Sequence, residues 1–414
     1  MIASGEAKSR KINSPEAIVM NPSRNLRAGI FLPPFHPADE DPTLCMERDF
    51  ELIEYLEKLG FAEAWIGEHH SGGFEIYGAP DLFIATAAAR TKRIMLGTGV
   101  LSLPYHHPFI LADRMVQLDH QTRGRAMFGV GPGLLTSDAM ILGIDPETQR
   151  ARMEESLEII TRLMAGETVT KTSDWYTMKE ARLQLRPYTQ PRPHLAIASA
   201  ITPNGGKVAG RFGLGMLCVA VSNGMGYDAL DLNWKIAQDH AAQHGQVMNR
   251  REWRLMAPFH IAETREKAIE NVKWGFDKWQ NYAYAISPLG GQAIGLGSLE
   301  SIIADGRGAI GTPDDAVAVL EKFWAKTGGF GGILMLAHDW ADWEATKRSY
   351  ELFARYVLPR FNGANEARNE SMEWMRANRD DFSAQNRAAT KKTIDTHFAA
   401  LENEQAASKN RAAE

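Results

Sequence analysis

Cysteine is nearly missing from this chain: Cys45 and Cys218 are the two in 414 residues, each inside an apolar segment. That excludes a disulfide framework and makes both thiols buried residues of a reducing compartment. The start, M-I-A-S-G-E-A-K-S-R-K-I-N-S-P, has no apolar core of a secretory signal. No stretch approaches the about 18 consecutive apolar residues of a membrane span, so the expectation is a cytoplasmic chain with no membrane partner. An excess of positive charge is missing as well. With 46 Lys plus Arg against 51 Asp plus Glu, net charge −5, there is no electrostatic footprint for nucleic acid or an anionic surface. Neither a G-x-S-x-G elbow nor a P-loop lysine motif occurs, which removes serine-hydrolase and nucleoside-triphosphatase chemistry.

What is present is a dense alternation of two kinds of apolar segment. L-R-A-G-I-F-L (26–32) is short, apolar and followed by Pro-Pro, which reads as a strand. Asp41 and Pro42 then open a helix as N-cap and first helical residue; Met46, Phe50, Ile53 and Leu56 mark its apolar face and Gly60 its end. The alternation continues through A-E-A-W-I-G, R-I-M-L-G-T-G, R-A-M-F-G-V, H-L-A-I-A, G-M-L-C-V-A, R-L-M-A-P-F-H-I and G-G-I-L-M-L-A. Helical patterns follow these strands, among them 81–90, 108–121, 150–164, 206–212, 229–244, 265–279 and 343–356, with another at 314–326. Eight strands alternating with helices predict a (β/α)8 TIM-type barrel, with a doubly wound open sheet as the competing arrangement. Three stretches, 131–149, 167–192 and 281–312, are too long for ordinary loops and read as insertions; the last, rich in Gly and carrying Tyr282, Tyr284 and Ile286, has the make-up of a lid. The expected organisation is a flexible N-terminal segment 1–24, a barrel 25–362, and a charged, partly helical C-terminal extension 363–414.

W-I-G-E-H-H-S-G-G-F (65–74) ends the second strand, on the face where barrel chemistry sits. Side chains alternate along an extended strand, so one of His69 and His70 is expected to face the barrel mouth while the other packs outward or anchors the loop. Glu68 is placed to hold either imidazole in one tautomer. A metal site is not expected. H-E-x-x-H is absent, adjacent histidines rarely aim at one ion, and His36 in P-P-F-H-P stands alone where metal-dependent hydrolase barrels carry H-x-H. F-G-V-G-P-G (128–133) lacks G-x-G-x-x-G spacing and reads as a tight turn; Y-H-H-P (105–108) reads as a helix entrance with His107 in the cap. S-A-I-T-P-N-G-G (199–206) gathers hydroxyls, an amide and glycines ahead of a helix, which suits either a phosphate seat or an ordinary N-cap.

Taken in order, R-A-G-I-F-L-P-P, F-A-E-A-W-I-G-E-H-H, G-T-G-V-L-S-L-P-Y-H-H-P, L-D-H-Q-T-R-G-R-A-M-F-G-V-G-P-G, A-G-R-F-G-L-G-M and G-T-P-D-D-A-V resemble the bacterial luciferase-like, flavin-dependent monooxygenase family. The resemblance spans about residues 26–361 and, within the family, points to the limonene monooxygenase branch. It implies a (β/α)8 barrel that receives reduced FMN (FMNH2) from a separate flavin reductase and uses O2 to oxygenate a small, largely apolar, terpene- or ketone-like molecule. Hydroxylation, epoxidation and insertion beside a ketone all remain open. By the same resemblance His69 handles protons beside the flavin, Gly99-Val100 is a cis peptide under the flavin ring, and Ser199, Ala200, Thr202 and the backbone of Leu134 contact the phosphate. A homo-oligomer, dimer or tetramer, is also implied. Two positions depart from the family: Pro132 stands where an arginine is common and Ala198 where an acid is common, which leaves Lys207 or Arg211 as charge partners and implies a modest FMN affinity. The alternatives are a deazaflavin-dependent oxidoreductase of the same fold and a catalytically silent luciferase-like subunit.

Overall fold

Short apolar runs bounded by turns become the barrel staves. In the computed structural model, which describes residues 25–33, 35–286 and 298–411, eight parallel strands close into a barrel in sequential order. They are β1 (Arg27–Leu32), β2 (Glu63–Ile66), β3 (Met95–Ser102), β4 (Ala126–Gly131), β5 (His194–Ser199), β6 (Gly215–Cys218), β7 (Trp253–Ala257) and β8 (Gly332–Leu336). Closure is made by β1 pairing with β8, Arg27 opposite Gly332 and Phe31 opposite Leu336. A closed ring leaves no strand edge, so the backbone groups of the staves are satisfied without solvent.

The sequence signals for helix ends are used as read. Asp41 accepts from the Thr43 and Leu44 N–H groups, Pro42 opens the Pro42–Leu59 helix, and Gly60 closes it at φ 86°. His107 caps the Pro108–Thr122 helix through Nδ1, which accepts from Phe109 N–H. Cys45 and Cys218 are buried and unpaired with each other.

Two expected elements are divided. R-L-M-A-P-F-H-I breaks at Pro258, which has no N–H for the ladder: Trp253–Ala257 stays in the barrel, while Phe259–Ile261 pairs with Ala309–Gly311 as a separate two-stranded sheet. The expected helix 265–279 is two helices, Arg265–Val272 and Phe276–Ile286. Between them Gly275 lies so close to the Asp339 carbonyl that a Cβ would collide with it, and its N–H donates to Trp340 O. The insertions hold structure of their own: helix Thr136–Ile141 within 131–149, and an antiparallel pair, Val169–Thr172 with Thr177–Ala181, within 167–192.

Inside the barrel, alternate residues of the staves form the interior. Its floor is ionic: Glu63 is bound by Arg254 at 2.5 Å and Arg27 at 3.2 Å, and accepts from the Trp65 indole at 2.9 Å. Above it, Trp65, Met127, Leu217, Met256, Leu334 and Leu336 make one cluster with Phe35, Trp279, Tyr282 and Trp340. The outward residues join the encircling helices in a second, larger cluster.

The chain forms two compact units, Met1–Asn362 and Gly363–Glu414. The second holds helices Glu366–Ala377 and Arg379–Arg411, neither with a buried residue. The N-terminal segment 1–24 and the middle of the expected lid, 287–297, lie outside the described residues. Among those described, no helix is long and apolar enough to cross a membrane.

Candidate active site

Residues in or directly after every barrel strand line one cavity of about 320 Å³ at the carboxyl ends of the staves. Phe31 comes from β1, the Gly67–His69 turn follows β2, and Val100 and Ser102 belong to β3. Pro132, Gly133 and Leu134 follow β4 and Val219 follows β6; Ala198, Met256 and Leu336 complete the ring from β5, β7 and β8. Trp279 and Tyr282, from the helix after the Gly275 break, also line it. The wall is mainly apolar, with polar groups gathered at two places.

The first is around His69. In the turn after β2 the two histidines part: His69 lines the cavity, whereas His70 does not and is exposed. His69 Nε2 lies 3.0 Å from Glu75 Oε2 and Nδ1 lies 3.1 Å from Asp138 Oδ2. Both carboxylates are buried. Burial alone would lower the imidazole pKa, but the Glu75 charge and the hydrogen bonds to Asp138 and Glu75 outweigh it and raise the value to about 10. His69 is therefore an imidazolium at neutral pH, with both N–H groups donated to carboxylates. Asp138 also accepts from the His70 N–H and the Ser71 hydroxyl, and with His69 these bonds hold its pKa below the usual carboxylate range against the opposing effect of burial.

Of the two imidazoles Glu68 was placed to hold, it meets His70, and it binds a second histidine as well. It accepts from His106 Nε2 at 2.6 Å and from the Ser102 N–H, and lies 3.4 Å from His70 Nε2. Its burial would raise the pKa, yet these donors bring it down to about 2. The acids that hold His69 are Glu75, from the loop after β2, and Asp138, from the Thr136–Ile141 helix. Sequence reasoning missed both. The signal available was the length of the 131–149 insertion, and a single acid inside the glycine-rich loop after E-H-H.

The second polar place is where Thr202, Asn204 and Gly205 at the start of the Asn204–Phe212 helix share the cavity wall with Arg150 of the Gln149–Met164 helix. Gly205 is required there: a Cβ would stand 2.9 Å from the Ala198 carbonyl oxygen and from Ser199 Cα. Gln149 donates to Pro132 O at 2.9 Å and lies 3.1 Å from the Tyr105 hydroxyl, which ties the second helix to the loop after β4.

Of the residues singled out in the sequence, His69, Gly99, Val100, Leu134, Ala200 and Thr202 line this cavity together. The Gly99-Val100 peptide is cis. Ser199 is the exception and does not line the cavity. It is one residue out of phase with Ala198 on β5, so its side chain turns from the cavity into the layer under the Asn204–Phe212 helix, buried beside the Cys218 thiol. Arg211 is likewise outside the cavity wall, 3.5 Å from Glu154 and 3.7 Å from Glu158, and Lys207 does not line it either.

A closed parallel barrel with an apolar-walled cavity at its carboxyl rim, and a charged histidine cluster on that wall, defines a (β/α)8 enzyme. The sequence model described as luciferase-like monooxygenase matches residues 26–330. The chain is 48% identical over 336 residues to limonene 1,2-monooxygenase of Rhodococcus erythropolis, covering 81% of this chain and 86% of that one. It is 44% identical over 353 residues to 4-hydroxyprotoasukamycin monooxygenase of Streptomyces nodosus subsp. asukaensis, covering 84% and 95%. In fold it is similar to the oxygenating constituent of 3,6-diketocamphane monooxygenase from Pseudomonas putida, solved in complex with FMN: TM-score 0.69, 20% identity, 81% of this chain and 99% of that one. The chain belongs to the luciferase-like monooxygenase family and is a flavin-type monooxygenase.

Proposed function

We propose that this enzyme takes reduced FMN from a separate reductase and uses O2 to oxygenate a small, largely apolar organic molecule, terpene- or ketone-like. The observation that carries the reading is the polarity of the cavity: an apolar body with a charged histidine cluster and a set of phosphate-type donors on its wall. The donor chemistry suits a phosphorylated planar cofactor, because Arg150, Thr202 and Asn204 can bind an anion while Val100, Val219 and Met256 offer apolar surface to a ring. The relatives named for a monoterpene and for a diketocamphane support the substrate class.

Reduced flavin, when bound, supplies the electrons that activate O2. The chain's own groups do the rest. Phe31, Trp279, Tyr282 and Leu336 keep water from the reacting end of the cavity. His69 holds a positive charge on the wall, able to stabilise negative charge developing on oxygen. The proton on its Nε2 faces Glu75, which also lines the cavity, so proton exchange with the site runs through that pair.

The test is anaerobic titration with reduced FMN followed by O2 and a panel of monoterpenes and cyclic ketones, reading oxygenated product against hydrogen peroxide. Product in proportion to flavin oxidised is the expected result. Hydride transfer from a reduced deazaflavin without O2, with no product from reduced FMN, would replace this reading with the deazaflavin one. Inertness with both flavins and the whole panel would favour a silent subunit.

A further inference from the structure

Glu75, whose charge does most to keep the His69 imidazole protonated, stands just past an exposed turn. Gly72 and Gly73, both at positive φ, precede it in solvent. Such a turn does little to fix its own far end. The 3.0 Å contact between the Glu75 carboxylate and His69 Nε2 therefore depends on what grips the chain on either side of Glu75.

Two neighbours grip it. On one side Phe35 pairs with Glu75 in an isolated antiparallel bridge, and the His36 N–H donates to Phe74 O at 2.9 Å. On the other, Tyr77 O accepts from the His69 N–H at 3.0 Å, which closes the turn on itself. The side chains of His36 and Tyr77 then converge on one atom. Asp49 Oδ2, on the Pro42–Leu59 helix, lies 2.9 Å from His36 Nε2 and accepts from the Tyr77 hydroxyl at 2.8 Å. All three residues are buried, and none of them lines the cavity.

A buried carboxylate is costly unless it is paired, and here the pair is His36. Burial would lower the His36 pKa, but Asp339 of the loop after β8 and Asp49 raise it to about 9, so the ring is a cation at neutral pH. Arg48, 3.1 Å from His36 Nδ1, is occupied by Asp339 at 2.8 Å and Glu40 at 3.0 Å. A buried ionic cluster adds little net stability over apolar packing of the same volume. What this one adds is direction, because each bond fixes a donor against an acceptor.

We infer that Asp49 is a positioning residue for the His69 site: through Tyr77 and His36 it holds both flanks of Glu75 and so sets the Glu75–His69 contact. The inference rests on the reading given above, in which the His69 charge serves the oxygen chemistry. It assigns part of that charge's control to a residue of the first helix that touches neither His69 nor the cavity.

The test follows the His69 imidazole by NMR across pH, with no flavin present, in the parent and in Asp49→Ala, Asp49→Asn and Tyr77→Phe. These variants leave Asp138 and His70, the other titratable groups beside His69, in place. Asp49→Ala and Tyr77→Phe should each make His69 titrate about one unit lower than the parent, a tenfold weaker hold on the imidazolium. Asp49→Asn keeps an acceptor oxygen without the charge and should fall between Asp49→Ala and the parent. In a Glu75→Gln background Tyr77→Phe should add no further shift. With reduced FMN and O2, Tyr77→Phe should release more hydrogen peroxide per flavin oxidised, at parental flavin affinity. A parental His69 titration in Tyr77→Phe, or a Tyr77→Phe shift that persists undiminished in Glu75→Gln, would overturn the inference. Equal shifts in Asp49→Ala and Asp49→Asn would also overturn it, by showing a charge acting at a distance. If Asp49→Ala does not fold, Tyr77→Phe with and without Glu75→Gln decides alone. A parent that oxygenates nothing with reduced FMN, while the His69 shifts appear, would overturn the flavin reading and leave the positioning role standing.

Discussion

Between Glu75 and Asp138 the imidazole of His69 gives both nitrogens to carboxylates, so the group suited by its unperturbed pKa to act as a base near neutrality is held as a cation instead. The folded-state pKa, about 10, lies above the ordinary 6.5. Stability from this ionisation is therefore complete below pH 6.5 and is lost as pH rises toward 10. Replacing Glu75 by Gln removes the largest favourable influence on that charge. Imidazole NMR should show His69 in Glu75→Gln titrating at lower pH than in the parent. The alkaline limb of oxygenation should move down with it, and urea melts should lose stability at lower pH. A His69 resonance titrating as in the parent would mean Asp138 alone holds the charge. His69→Gln keeps a donor but no charge, and should lower product formation about 100-fold with hydrogen peroxide released in its place and flavin affinity retained. Undiminished product would remove His69 from the chemistry.

At the scale of elements, a one-residue phase decides what a strand offers to a ligand. S-A-I-T-P-N-G-G has the composition of a phosphate seat, but β5 sends Ala198 inward and Ser199 outward, and Thr202 returns to the wall only after the strand has ended. Thr202→Ala should weaken reduced-FMN binding by about 1.5–3 kcal/mol, the worth of a hydrogen bond to a charged group. Ser199→Ala should leave it unchanged, and anaerobic titration of the two variants separates them. An effect of Ser199→Ala equal to that of Thr202→Ala would place the anion against the strand rather than at the turn. His69 and His70 part in the turn beyond β2, where Gly67, Glu68 and His69 all line the cavity, so strand phase does not decide between the two rings.

For the whole molecule, the barrel unit Met1–Asn362 contains every residue of the cavity, and the helices of Gly363–Glu414 bury none of their side chains. Truncation after Asn362 therefore removes no buried apolar surface of the extension's own. The truncated chain should melt within a few degrees of the full one and bind reduced FMN equally, by calorimetry and titration. A large fall in either would show that the extension supports the barrel.

The sequence by itself determined the eight-strand barrel, the helix ends at Asp41, Gly60 and His107, and the side of the molecule on which His69 lies. These follow from short-range causes: apolar period, capping chemistry, glycine at positive φ, and the rule that barrel sites lie at the carboxyl rim. The breaks at Pro258 and Gly275 were written in the residues, but only the neighbouring chain, at Ala309–Gly311 and Asp339, gives them their form. Tertiary structure alone decided which acids meet His69, that Glu68 serves His106, and that Arg150 rather than Arg211 reaches the cavity. Asp138 is 69 residues from His69 along the chain. Such pairs are brought together by barrel closure and by the packing of insertions over the rim, and no local pattern of residue types carries that distance.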